Sequence, residues 1–109
     1  MPLIWCSISA HGFGHAAQIV PVLNELGKQV RDLTTILRTT VPSSFFEPRL
    51  HIPWQRSHAV QDIGCIQQGP LTIDVPGTWA AHRSFHENWH AKIQAEAALI
   101  RAAAPVFVL

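Results

Sequence analysis

Apolar runs of strand length alternate along the chain with segments in which apolar residues recur every three or four positions. Residues 3–9 (LIWCSIS) form a nearly continuous apolar run, which is typical of a strand buried on both faces of a parallel sheet. Residues 16–26 follow with helical spacing, and Gly27 is placed to end that helix. The start of the chain therefore predicts a buried strand, a glycine-bearing turn and a helix.

The rest of the pattern predicts three more strands, one short helical turn and one long helix. The strands are residues 33–37, 50–54 and 106–109, and the short helical turn is residues 42–46. Short apolar pieces within residues 57–77 are split by a turn at residues 67–70. We expect the long helix to begin at an N-cap, Thr78, and to persist to about Ala104, where Pro105 ends it. Its apolar stripe consists of Phe85, Trp89, Ile93 and Ile100.

This order of elements predicts an α/β chain with a Rossmann-like parallel sheet. We expect the strand order 3-2-1-4, with residues 3–9 central and residues 106–109 beside them. A fully apolar strand needs a further turn and helix to cover it, and an uncovered one invites edge-to-edge association. We therefore expect residues 1–109 to be a partial domain from the front of a longer protein, and we expect the isolated chain to associate with itself through its last strand.

Composition narrows the class of protein further. The 109 residues are 48% hydrophobic and 14% charged, with a net charge of +1 and no basic cluster, which excludes a disordered chain and argues against nucleic acid as a partner. No stretch approaches the length of a membrane span, and no positive residue opens the chain as in a secretory signal. Cys6 and Cys65 lie far apart in apolar contexts and predict two buried thiols of a reducing compartment. We expect a cytoplasmic protein without a transmembrane segment.

The turn after the first strand carries the strongest motif of the chain. Residues 12–17 (GFGHAA) fit the pattern G-x-G-x-x-A directly after a strand and at the start of a helix. Gly12 and Gly14 would let the backbone approach a ligand closely, and the free N–H groups at the helix start would attract an anion. The alternative is a tight turn that needs glycine only for its backbone conformation.

A first functional interpretation of this turn is an NADP-type dinucleotide-binding domain of an oxidoreductase. Dinucleotide-binding domains have an acidic residue about 20 positions further on, at the end of the second strand. Here that strand ends in Arg38, which would suit a 2′-phosphate, whereas Asp32 precedes the strand and lies on the wrong side. His11 and His15 flank the turn, and a simple phosphate cradle does not need them.

A second interpretation uses these histidines. The positive end of a helix dipole disfavours a positively charged imidazole, so His15 at the helix start would stay neutral and available as a base. Such a base takes the proton from an acceptor hydroxyl that attacks an activated sugar. The alternative is that His15 only hydrogen-bonds the turn.

Residues 9–15 (SAHGFGH), followed by residues 21–23 (PVL), resemble the N-terminal domain of GT-B glycosyltransferases. The turn is similar to that of the N-acetylglucosaminyl transferases of peptidoglycan synthesis, where it also ends in Gly-His before a helix containing proline. Over essentially the whole chain the sequence is similar to a glycosyltransferase-like segment found in bacterial proteins and ahead of the sugar-kinase part of plant arabinokinases. In that segment residues 62–67 (DIGCIQ) and 71–74 (LTID) also have counterparts.

The resemblance implies two Rossmann-like domains with the active site in the cleft between them. The N-terminal domain would hold a small-molecule acceptor and the C-terminal domain a nucleotide-sugar donor, and His15 matches the catalytic-base position of several such enzymes. His11, Gly12 and Gly14 would form the ligand-binding turn. The donor domain is missing from this sequence, so we expect the 109-residue chain alone to be inactive. No D-x-D motif occurs, so we expect no metal cofactor. The non-enzymatic alternative is a non-catalytic fragment that binds a small ligand or no ligand.

The histidines of the long helix and the tryptophans of the chain lead to two further predictions. His82, His86 and His90 follow one another at four-residue intervals, and without acidic or cysteine ligands at supporting positions we expect packed or partly solvated histidines. Of the four tryptophans, we expect Trp5 and Trp89 to fill the core.

Overall fold

Two compact units make up the chain, and the first is built on a parallel sheet. The computed structural model describes residues 1–109; one unit is residues 1–61 with 100–109, and the other is residues 62–99. The strands are β1 (Leu3–Ser7), β2 (Thr34–Arg38), β3 (Trp54–Ser57), β4 (Gln67–Gly69), β5 (Thr72–Ile73) and β6 (Phe107–Val108). The helices are α1 (Gly14–Gln29), α2 (Ser43–Phe46), α3 (Val75–Phe85) and α4 (Trp89–Ala103).

The first unit contains a four-stranded sheet in the order β3-β2-β1-β6, and all three pairings are parallel. The predicted α/β class, the central position of the first strand and the place of the last strand beside it are confirmed. The arrangement is consistent with a Rossmann-like fold. The chain moves from β1 through β2 to β3 in one direction and then returns past β1 to β6, so the strand order reverses at β1.

The core of this unit lies between the sheet and α1. Cys6 and Leu37 are partners in the β1–β2 register, so their side chains share one face of the sheet, and both are buried. The buried residues of α1 are Ala16, Val20 and Leu23, spaced three and four apart as one helical face requires. Trp5 is buried as expected and alternates with Cys6, which places it on the other face of the strand.

Gly27 lies inside α1 and does not end the helix as predicted, because α1 continues to Gln29. The reason is close packing: a Cβ on Gly27 would collide with the Cγ2 methyl of Ile52. The glycine therefore lets the segment before β3 approach the helix.

The third strand was predicted at residues 50–54 and is found at Trp54–Ser57. The predicted segment instead carries Leu50 and Ile52 into the core without joining the sheet. The side chain of Asn24 on α1 holds its backbone: the amide donates to the carbonyl of Arg49 and accepts from the N–H of His51. Burial alone therefore explains the apolar pattern that suggested a strand.

The second unit contains the β4–β5 hairpin and α3. Its turn lies between Gly69 and Thr72, slightly later than the turn predicted at residues 67–70. Asp74, not the predicted Thr78, caps α3, because its carboxylate accepts the N–H of Gly77. The hydroxyl of Thr78 accepts the N–H of Ile66 instead.

The single long helix predicted for the second half of the chain is wrong. The helix is broken between Phe85 and Trp89, where Asn88 adopts a left-handed backbone with φ of 53°. Neither α3 nor α4 contains a buried residue, so the stripe through Phe85, Trp89 and Ile93 does not face a core. Trp89 is 45% exposed, which contradicts its predicted place in the interior. The two cysteines also differ, because Cys6 is buried as expected whereas Cys65 is exposed.

None of the four helices combines the length and apolar character that a membrane span requires.

Candidate functional site

The glycine-bearing turn leads from the carboxyl end of β1 into α1. Gly12 has a φ of 77°, a left-handed conformation that favours glycine. The next residue, Phe13, precedes α1, and its ring stacks on that of Phe45 with 5.1 Å between centroids. The guanidinium of Arg49 lies 4.4 Å from the centroid of the same Phe45 ring. The turn is therefore held by its own backbone and by an aromatic contact to the α2 region.

No side chain caps the amino end of α1, and no acidic residue lies in the first turn of this helix. The first N–H groups of a helix have no intrahelical acceptor and carry the positive end of its dipole. A Cβ on Gly14 would meet no other atom of the protein, and its φ is not in the left-handed region. Neither packing nor backbone geometry requires glycine at residue 14, so this position is open to a ligand.

A cavity of about 460 Å³ lies beside this turn at the carboxyl end of β1. Its polar lining comes from Ser7 and Ser9 at the end of β1, and from His15 and Gln18 on α1. Leu109, directly after β6, closes another side. The cavity thus lies at the carboxyl edge of the sheet where the strand order reverses, which is the place where ligands bind in open α/β sheets.

The structure brings together part of the predicted site. His15 is exposed and lines the cavity, and Gly12 and Gly14 shape the turn that leads to it. His11 is exposed and does not line this cavity. Arg38 does not line it either, because its guanidinium donates to Ser57 Oγ at 2.9 Å and to the carbonyl oxygen of His58 at 3.1 Å.

Sequence reasoning missed the other polar residues of the cavity. Gln18 lies one helical turn after His15, so helical spacing was a sufficient signal for it. Ser9 Oγ is buried and has no hydrogen-bond partner in the protein. A buried hydroxyl without a partner is unfavourable, so a ligand hydroxyl that reached this atom would supply the hydrogen bond that it lacks. Only the three-dimensional pairing of β6 with β1 brings Leu109 to the cavity.

A second cavity and the histidines of the second half of the chain have different surroundings. A smaller cavity of about 330 Å³ lies over the sheet between Leu3, Ile36 and Gln55. No group of three or more His, Cys, Asp or Glu side chains is placed to hold a metal ion. His86 and His90 are exposed and His82 is half-buried; the rings of His82 and His86 lie parallel with centroids 6.3 Å apart.

Comparisons of this chain with protein-family models, with curated proteins and with solved structures found no match.

Proposed function

We propose that residues 1–109 form the acceptor-binding part of a GT-B glycosyltransferase, corresponding to the first half of its N-terminal Rossmann-like domain. The observation that carries the proposal is the cavity at the reversal of strand order with His15 in its wall. The sequence resemblance of the turn to GT-B enzymes supports the same role. The nucleotide sugar would be held by a second Rossmann-like domain that these residues do not include.

In the proposed reaction His15 acts as a general base. An acceptor alcohol bound in the cavity gives its proton to a ring nitrogen of His15 as its oxygen attacks the anomeric carbon of the donor sugar. The bond from that carbon to the phosphate oxygen breaks, and the nucleoside diphosphate leaves with the bonding electron pair. The products are a glycoside, the nucleoside diphosphate and a protonated histidine that returns its proton to solvent.

The NADP-type oxidoreductase is less well supported by the geometry. That function needs Arg38 to face the bound dinucleotide, but its guanidinium donates to Ser57 and to the backbone of His58. The cavity extends from the turn towards Leu109 beside β6, and not towards the end of β2.

The test is sugar transfer from labelled nucleotide sugars to alcohol acceptors. It uses a polypeptide in which residues 1–109 are followed by the remainder of an N-terminal Rossmann-like domain and by a nucleotide-sugar-binding domain. The control is the same polypeptide without residues 1–109. We expect labelled glycoside only when residues 1–109 are present. Equal product from both polypeptides contradicts the proposal. Binding of NADPH to residues 1–109 that is lost in Arg38→Ala favours the oxidoreductase instead.

A further inference from the structure

The walls of the cavity beside His15 are mainly apolar. The apolar lining residues are Cys6, Ile8, Ile19, Val22 and Leu109. Cys6 and Ile8 are buried, and so they form its interior wall. Burial raises the pKa of the Cys6 thiol to about 11, so this group is uncharged at neutral pH. The wall that Cys6 and Ile8 form is therefore apolar and uncharged.

The polar groups lie mainly where solvent has access. Ser7, His15 and Gln18 are exposed residues, whereas Ser9 is half-buried and its hydroxyl has no partner. A ligand hydroxyl placed between Ser9 and His15 gives Ser9 Oγ the hydrogen bond that it lacks. The arrangement suits a molecule with few hydroxyl groups at one end and an apolar body.

No Asp, Glu, Lys or Arg side chain lines the cavity. The uncapped amino end of α1 lies at Gly12, Phe13 and Gly14, and none of these residues lines the cavity. A phosphate inside the cavity would therefore give up water without gaining a cationic side chain or the N–H groups of that turn, which is costly for an ion. A free monosaccharide would turn several hydroxyl groups towards Ile8, Ile19 and Val22, which offer no hydrogen bonds. The volume of about 460 Å³ lies in the range of cavities that bind drug-sized molecules.

We propose that the ligand of this cavity is an uncharged alcohol on an apolar skeleton, held by Ser9 and His15 at its hydroxyl and by the α1 and β6 sides at its body. The role of that alcohol as a sugar acceptor rests on the proposed function. Its recognition by the cavity does not, because it follows from the lining alone.

The test compares two probes with the same skeleton. 1-Naphthol carries one uncharged hydroxyl group on an apolar aromatic body, and 1-naphthyl phosphate replaces this hydroxyl with a charged phosphate ester. Binding is measured by the shifts of backbone amide signals in two-dimensional NMR. The protein is residues 1–109 with an amidated carboxyl terminus, so that Leu109 brings no terminal carboxylate to the cavity. We expect 1-naphthol to shift the amides of Ser9 and His15 and to bind about tenfold or more tightly than the phosphate. Tighter or equal binding of 1-naphthyl phosphate overturns the proposal.

Three variants locate the binding. Val22→Asp places a carboxylate in the apolar wall and is expected to weaken 1-naphthol binding about tenfold or more. Val60→Asp is the matched control, because Val60 is similarly exposed and does not line the cavity. Ser9→Ala removes the unpartnered hydroxyl and is expected to weaken binding about fivefold while the protein stays folded. Unchanged affinity in both Val22→Asp and Ser9→Ala overturns the proposal.

The two proposals fail separately. If 1-naphthol binds as expected and the two-domain polypeptide transfers no sugar, the ligand class stands and the glycosyltransferase function falls. If sugar is transferred but the phosphate ester binds more tightly, the function stands and the ligand class is wrong.

Discussion

At Gly12 the backbone requires glycine, and at Gly14 nothing within the protein does. Gly12 has a left-handed φ of 77°, and a Cβ there would meet no atom. Substitution of Gly12 is therefore unfavourable because of backbone strain and not because of a steric clash. Gly14 lacks both the unusual φ and a close neighbour. The two glycines of one motif therefore have different reasons to be glycine.

Alanine substitutions separate these reasons. Gly12→Ala is expected to lower the free energy of unfolding by about 1 kcal/mol, because a residue with a Cβ is strained in the left-handed region. Gly14→Ala is expected to leave it unchanged or raise it by roughly 0.5 kcal/mol, since alanine favours the helix. Urea unfolding of both variants measures the difference. A larger loss of stability in Gly14→Ala than in Gly12→Ala would show that packing requires Gly14.

The buried thiol of Cys6 predicts how stability responds to alkaline pH. Its pKa is raised by burial from 9.0 to about 11, so the unfolded chain loses this proton at lower pH than the folded chain. The unfolded state therefore binds fewer protons between these values, and the free energy of unfolding falls as pH rises through them. The contribution of the Cys6 thiol to the free energy of unfolding is fully present below about pH 9. Its loss at higher pH is on the order of 2 kcal/mol.

The measurement is urea unfolding from pH 8 to about pH 11. The chain contains no tyrosine, so no phenol titrates in this interval. Cys6→Ala is expected to lose this dependence, and Cys65→Ala, which alters an exposed thiol, is expected to keep it. If the free energy of unfolding of Cys6→Ala still falls as pH rises, the pH dependence belongs to other groups.

At the scale of elements, a strand is predicted most reliably when both of its faces are buried, because its sequence is then a continuous apolar run. Residues 3–9 predicted β1 and its central position correctly, because a parallel strand of this kind is buried from both sides. Residues 50–54 (LHIPW) are also mainly apolar, but Asn24 ties their backbone to α1 and the strand begins only at Trp54. Side-chain hydrogen bonds between distant residues cannot be read from a local pattern.

The joint between α3 and α4 shows a second limit of local patterns. The helical spacing continues through residues 86–88 without glycine or proline, so Asn88, a residue that also occurs at helix ends, is the one local signal of an interruption. The joint is nevertheless stabilised on both sides: the side-chain ammonium of Lys92 donates to the carbonyl of Phe85, and its backbone N–H donates to Asn88. The amino group of Lys92 also lies 4.8 Å from the centroid of the Phe85 ring.

Substitutions at Asn88 test the broken helix. Asn88 has a φ of 53°, which asparagine tolerates better than residues with longer side chains. Asn88→Gly is expected to keep or raise stability, and Asn88→Ala to lower it by about 1 kcal/mol, because alanine is strained there. Thermal unfolding followed by circular dichroism compares the two. Greater stability of Asn88→Ala, with increased helix content, would indicate a continuous helix in solution.

At the scale of the whole molecule, β6 forms one edge of the four-stranded sheet. β6 pairs only with β1, and the segment that contains it is apolar and exposed. The chain carries few charges, with a net charge of +1, so electrostatic repulsion between copies is weak. These properties favour pairing of β6 with the β6 of another copy.

We expect the isolated chain to associate with itself as its concentration rises. Val108→Lys is expected to reduce the association, because a charged residue on an edge strand opposes pairing with another edge. Val60→Lys is the matched control, since Val60 has similar exposure and lies outside the sheet. Sedimentation velocity at increasing concentrations measures the effect. A wild-type chain that stays monomeric contradicts the role of this edge.

The candidate site was predictable only in part. The motif of residues 12–17 indicated the turn and His15, because strand, glycine and helix start are adjacent in sequence. Ser9 and Leu109 meet in the same cavity only because β6 pairs with β1, a contact between residues at opposite ends of the chain. The expected contribution of His11 to ligand binding stays a prediction.

The turnover of His15→Ala in the two-domain polypeptide tests the central claim most directly, with His11→Ala measured beside it. A general base contributes about 10²–10⁴ in rate, so we expect kcat to fall by a factor in this range while the affinity for the nucleotide sugar stays nearly unchanged. His11→Ala is expected to lower kcat much less, because His11 does not line the cavity. Unchanged turnover in His15→Ala would contradict the assignment of His15 as the base and leave the turn as a structural element only.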